Sequence, residues 1–193
     1  MNQTCLFALS LQIKNPKILM KPWLKILLFC IAVSSFVGCD QVTKNLAKAH
    51  LMDGHIVSYL NNTFVLKYAE NTGAFLSMGN ELSDTVSFWI FIALPVIFLI
   101  GLFVFVLLKL RELSLMKLLG FALILAGGMG NVIDRILYDR HVTDFMILGI
   151  QNVRTGIFNF ADLFVSVGAV TLLLFYRSKK EEKLKVSENQ PTE

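Results

Sequence analysis

GGMGNVIDRILYDRHVTDFMILGIQNVRTGIFNFAD, residues 127–162, decides how the rest of the chain is read. It leaves one apolar run and enters another. Between them it carries Asp134, Asp139, Asp144 and Asp162, four of the chain's fourteen acidic residues. Carboxylates near the boundary of a bilayer are expensive to bury, so several at matching depth mark a functional site.

The chain around this stretch is too apolar for an ordinary soluble domain. Of 193 residues, 55% are hydrophobic and only 17% charged, where a soluble domain carries about a quarter charged residues. The reading is therefore a membrane protein. Its formal charge of +4 does not point to nucleic acid, because the basic residues gather at the ends of apolar runs and form no aromatic-interleaved patch. Cys5, Cys30 and Cys39 all fall in the first fifth of the chain. They suggest neither a disulfide framework nor a zinc site.

Working outward from the central stretch, Leu118–Ile133 precedes it and Ala161–Tyr176 follows it as spanning segments. The Ala126–Gly130 segment, AGGMG, offers small residues that let another helix come close. Phe88–Leu108 is 21 residues without a charge, with Pro95 as a candidate kink. Trp23–Cys39 is a shorter run, broken only by Lys25. It has a rival reading as a secretory signal ending at a lipid-attachment cysteine, Cys39. A cleaved lipoprotein continues as a soluble domain, and this chain does not.

Positive residues mark the cytoplasmic side. Lys14, Lys17 and Lys21 lie before the first run; Lys109, Arg111 and Lys117 lie in the loop after the second; Arg177, Lys179, Lys180, Lys183 and Lys185 follow the fourth. The expectation is an all-α membrane protein with four transmembrane helices and both termini cytoplasmic. Residues 1–22 form a cytoplasmic extension, 23–176 the membrane domain, and 177–193 a basic, disordered tail. Between Ile56 and Tyr68 apolar and polar residues alternate around Asn61-Asn62, which predicts a small extracytoplasmic β-sheet or hairpin.

Helical spacing then groups the polar residues. Asn131 pairs with Asp134 at i,i+3 and with Arg135 at i,i+4, where the third span ends. Asn159 and Asp162 repeat the i,i+3 relation where the fourth begins, and Asp40 and Lys44 form an i,i+4 pair where the first ends. Each has an ordinary explanation. Asn159 with Asp162 reads as a helix cap, Asp40 with Lys44 as a simple ion pair, Asn71-Thr72-Gly73 as a turn, and Asp139-Arg140 as a solvated turn. Their coincidence on one side of the membrane argues for a site. His50, His55 and His141 lack the spacing of a metalloprotease, and no GxSxG motif supports a serine nucleophile.

Paired carboxylates fit best. Two aspartates a few ångströms apart cannot easily both ionise, so one holds a proton as acid while the other takes a proton from water. This chemistry needs no metal or cofactor. Spacing alone chooses neither the two aspartates nor the substrate.

Five separated motifs add to this: Asp40-Gln-Val-Thr-Lys44, Asn71-Thr-Gly-Ala74, Gly127-Gly-Met-Gly-Asn-Val-Ile-Asp-Arg135, Val142-Thr-Asp-Phe145 and Phe158-Asn-Phe-Ala-Asp162. Present in this order, they make the chain resemble lipoprotein signal peptidase, or signal peptidase II, a family of bacterial membrane aspartyl proteases. The resemblance runs from about Trp23 to Tyr176. It implies that Asp144 and Asp162 are the catalytic dyad, and that Asp40, Asn71, Asn131, Arg135 and Asn159 line the substrate site. Lys44, Gly73 and Asp134 take supporting roles. It further implies a prolipoprotein substrate cut before a cysteine that carries a diacylglyceryl group. The chain departs from the family at Phe75, Met129, Thr143 and Gly156, and its first 19 residues have no counterpart. A monomer surrounded by membrane lipid is expected. The rival readings are a proton-conducting channel, which would need polar residues through the full depth of the spans, and a non-catalytic lipid anchor.

Overall fold

The computed structural model describes residues 20–73, 82–151 and 153–188, with side chains placed as far as residue 175. Phe75, the first 19 residues and the last five lie outside the described residues. Within them the helices are α1, Pro22–Leu51; α2, Asp84–Lys109; α3, Leu115–Leu137; and α4, Phe160–Glu188.

Pro22 opens α1, where its fixed φ suits a helix and its missing N–H leaves nothing unsatisfied. The helix does not stop at Cys39. It continues to Leu51, because residues 40–51 hold no Gly or Pro to end it. Asp40, Lys44, Ala47 and Leu51 are its buried residues there, spaced four, three and four apart along one face. Lys25, the charge inside the first apolar run, donates to the carbonyls of Leu110 (3.3 Å) and Leu113 (2.8 Å). It thereby ties α1 to the connection between α2 and α3.

In α2 a π turn runs over Trp89–Ala93, just ahead of the candidate kink residue Pro95. A π turn inserts one residue into the helical ladder. Ser114 caps the start of α3 by accepting from the Lys117 N–H at 3.4 Å.

α3 is the central helix. Half of its most apolar 18-residue window is buried, against 6% for α1 and 17% for α2. A Cβ on Gly127 would lie 2.3 Å from the Ala161 carbonyl, and one on Gly130 would lie 2.4 Å from Asp40 Oδ2. The small residues of AGGMG therefore admit both α4 and α1, as expected. α1, α2 and α3 are long and apolar enough to cross a membrane, and α4 has a shorter apolar part, Phe160–Phe175. Large side chains such as Leu94, Ile97, Phe98 and Leu108 stand exposed on α2, as a lipid-facing surface requires.

α4 carries on past Tyr176 to Glu188, although a disordered tail is expected from residue 177. Lys, Glu and Leu favour helix, and Glu181 with Lys185 has the supporting i,i+4 spacing.

The four strands β1 (Ile56–Tyr59), β2 (Phe64–Asn71), β3 (Val142–Ile150) and β4 (Val153–Arg154) form one antiparallel sheet in that order. The hairpin expected around Asn61-Asn62 is β1–β2, with Leu60, Asn61 and Asn62 at φ of 51°, 53° and 66°. Sequence pattern does not predict β3. Its first five residues are all buried, and a strand covered on both faces shows no alternation. β3 places Asp144 opposite Ala69 of β2. Beyond β4, Phe158 returns to bridge Met146, which sets Asn159 beside Asp144. Ala47 and Leu51 of α1 pack with Phe145 and Met146, and with Phe158 and Phe160, so the sheet is clamped onto the ends of α1 and α4.

Candidate active site

The site is built on a buried ammonium. Lys44 Nζ lies 2.8 Å from Asp40 Oδ2 and 3.0 Å from Asp134 Oδ2, and all three side chains are at most 2% exposed. Charges this deep persist only when paired and hydrogen-bonded. Asp40 Oδ1 accepts the Ala161 N–H at 2.9 Å. Asp134 accepts Gln41 Nε2 at 2.8 Å and the Thr143 N–H at 3.2 Å. The cluster therefore ties α1, α3, β3 and the first turn of α4 into one frame.

On this frame sit the amides. Asn131 Oδ1 accepts from Lys44 Nζ at 3.0 Å, and its Nδ2 donates to Asp162 Oδ1 at 2.9 Å. Asn159 Nδ2 donates to Asp144 Oδ1 at 2.6 Å and to Asn131 Oδ1 at 3.2 Å. Asn71 Nδ2 reaches Asp144 Oδ2 at 3.1 Å. The Asn159 N–H donates to Asp162 Oδ2, and the Asp162 N–H donates to Asn159 Oδ1, both at 3.1 Å. This is a reciprocal cap at the start of α4. The ordinary reading of Asn159 and Asp162 and the functional one are thus the same geometry: the cap aims the carboxylate.

Arg135 closes the other side. Its Nη2 donates to the Gly73 carbonyl at 2.9 Å and its Nη1 to the Asn131 carbonyl at 3.2 Å, while the guanidinium lies 5.8 Å from the Phe91 ring centroid. The Gly73 N–H in turn donates to Asn71 Oδ1 at 3.1 Å. Arg140 pairs with Asp84 at 2.8 Å at the surface, and Asp139 is exposed, in keeping with a solvated turn.

Asp144 is 4% exposed. Burial is the main force pushing its carboxyl up to about 6, the negative Asp162 nearby adds to it, and the donors Asn71 and Asn159 with the Lys44 charge pull it back. Two carboxyl groups so coupled can divide acid and base roles between them near neutral pH. Asp162 is half-buried, so the pair is open from its side.

All ten residues singled out in the sequence, Asp40, Lys44, Asn71, Gly73, Asn131, Asp134, Arg135, Asp144, Asn159 and Asp162, meet in this one hydrogen-bonded network. Asp40, expected to line the substrate site, is fully buried and both its oxygens are engaged. Gln41, which no sequence pattern singles out, donates to Asp134 and to the Gly130 carbonyl (3.2 Å). Its signal is its place between Asp40 and Lys44 in a helix that turns one face to α3.

Membrane-length apolar helices that bring a buried and a half-buried carboxyl group into one hydrogen-bonded network define a membrane enzyme. Residues 31–177 match the profile of the signal peptidase (SPase) II family. The lipoprotein signal peptidases of Borrelia garinii subsp. bavariensis and Borreliella burgdorferi are 34% and 33% identical to this chain, each over 80% of it and 91% of the relative. Two solved structures, each described as a bacterial membrane enzyme obtained by the in meso method, match with TM-scores of 0.65 at 25% and 26% identity. They cover 86% and 77% of this chain and 93% and 92% of their own. The chain belongs to the signal peptidase II family of membrane aspartic endopeptidases.

Proposed function

We propose that this enzyme removes the signal peptide from diacylglyceryl-modified prolipoproteins, cutting before the lipidated cysteine with water activated by Asp144 and Asp162. The observation that carries this reading is the double hold of Asn159. Its side chain binds one carboxylate and its backbone N–H the other. Asp144, with its raised proton affinity, holds the shared proton and delivers it to the scissile amide. Asp162 takes the proton of the attacking water. Asn71 and Asn131 with Arg135 supply donors for peptide carbonyls, Asn159 borders the same site with its donors held on the dyad and Asn131, and Gly73, Lys44 and Asp134 support them.

In this reading the chain crosses the cytoplasmic membrane four times, with both termini inside and the sheet and dyad at the outer face. Residues 1–22 precede the peptidase domain, 23–176, and the basic 177–193 follow it. The basic loop between α2 and α3 supports this orientation. A monomer suffices, because one chain supplies every group named. The substrate's signal helix enters sideways between helices while its acyl chains stay in lipid, so no acyl chain needs to cross water.

The test is to express Asp144→Asn and Asp162→Asn with a lipid-modified precursor and follow its shortening. Each variant accumulates in the membrane and leaves the precursor uncut. Cleavage at the normal rate by either would overturn the assignment.

A further inference from the structure

We propose that Lys44 sets the orientation of both active-site amides, so that the NH₂ groups of Asn131 and Asn159 face the two carboxylates. The inference rests on the dyad proposed above and adds to it a positioning residue that touches no substrate.

What each group can donate fixes the orientation. An ammonium has three donors and no acceptor. Those of Lys44 are directed at Asp40 Oδ2, Asp134 Oδ2 and Asn131 Oδ1, at 2.8, 3.0 and 3.0 Å. Asn131 must therefore turn its oxygen toward Lys44, which leaves its Nδ2 facing Asp162 Oδ1. The same oxygen accepts Asn159 Nδ2, whose second hydrogen goes to Asp144 Oδ1. Asn159 Oδ1 is already taken by the Asp162 N–H. The sense of both amides is thus fixed in one direction, from the lysine to the two carboxylates.

Turning Asn131 over would set NH₂ against the ammonium, NH₂ against the Asn159 amide, and a carbonyl against the Asp162 carboxylate. Three attractive contacts would become three repulsive ones. Lys44 is 1% exposed, so it works from behind the site. Asp134, held by Gln41, fixes the lysine in turn. Among the described residues, the charged groups that act on the dyad are Lys44 from α1 and Arg135 from α3, with Asp40 and Asp134 paired to Lys44 behind it.

The test uses the full chain in detergent with a diacylglyceryl-modified precursor peptide. Lys44→Met keeps the length of the side chain and removes its donors. Lys44→Met/Asp40→Asn keeps the net buried charge as well, and decides the matter where the single variant does not accumulate. In the folded variant kcat falls about a hundredfold, as for misplaced reacting groups, while KM stays within about twofold. A carboxylate that loses a donor holds its proton to higher pH, so the acid limb of the kcat profile moves up by about one pH unit. Unmoved pH limbs, whatever the loss of rate, would reduce Lys44 to a structural role and overturn the inference. The two readings fail separately. Active Asp144→Asn or Asp162→Asn enzyme removes the dyad, whereas inactive aspartate variants beside a Lys44→Met enzyme with the normal pH profile remove only the role of Lys44.

Discussion

Asn159 donates its side-chain amide to Asp144 at 2.6 Å from a position with no solvent exposure, while its oxygen caps α4. The two duties separate by substitution. Asn159→Ser keeps an acceptor suited to a helix start and loses the donor to Asp144. Detergent melting of this variant stays close to that of the parent, and cleavage drops about a hundredfold. Full activity in the serine variant would leave the amide without a role in the reaction.

The pH profile follows from Asp144. Its carboxyl titrates at about 6, so raising pH through that value strips the shared proton, and cleavage falls on the alkaline side. Asn71 is a donor that pulls this value down. Asn71→Leu therefore moves the alkaline limb to higher pH, whatever it does to the maximal rate. The same carboxyl affects stability. Its folded value lies above the ordinary carboxyl value of 3.8, so its contribution is fully present below about pH 4 and lost as pH rises through about 6. Melting across that window, compared with Asp144→Asn, reads the difference.

Close approach at α3 predicts a sharp contrast among glycines. Gly130→Ala forces a Cβ to 2.4 Å from Asp40 Oδ2, whereas Gly38→Ala meets nothing within 4 Å. Overpacking of the first kind costs about 1–3 kcal/mol. Thermal melting should fall for Gly130→Ala and hold for Gly38→Ala; equal behaviour would contradict the packing described.

Asp40 separates anchoring from substrate contact. Asp40→Ala breaks a buried ion pair and destabilises by about 3–5 kcal/mol, while the half-exposed Lys109–Glu112 pair contributes at most about 0.5 kcal/mol. In whatever Asp40→Ala enzyme folds, KM stays near the parent value. A large rise in KM would restore Asp40 to the substrate surface.

The long apolar runs and the positions of the acids were legible because lipid demands uninterrupted hydrophobic stretches, and a charge inside one stands out. The extent of α1 beyond Cys39 was not, since residues 40–51 look polar until their buried face is seen. β3 escaped for the opposite reason. Its run VTDFMILGI is buried on both faces at first and shows no period of two. Among the site residues, the i,i+3 and i,i+4 pairs were readable as local geometry. The bonds from Asn131 to Asp162 and from Gln41 to Asp134 span 31 and 93 positions, and only the approach of separate helices creates them.

The peg that starts α4 is also a reactive acid. Asp162 cannot swing away from its partner without letting the first turn of the helix fray, and that turn cannot loosen without misaiming the acid. Warming the enzyme should therefore extinguish catalysis at the temperature where this single turn gives way, before the greasy body of the bundle comes apart.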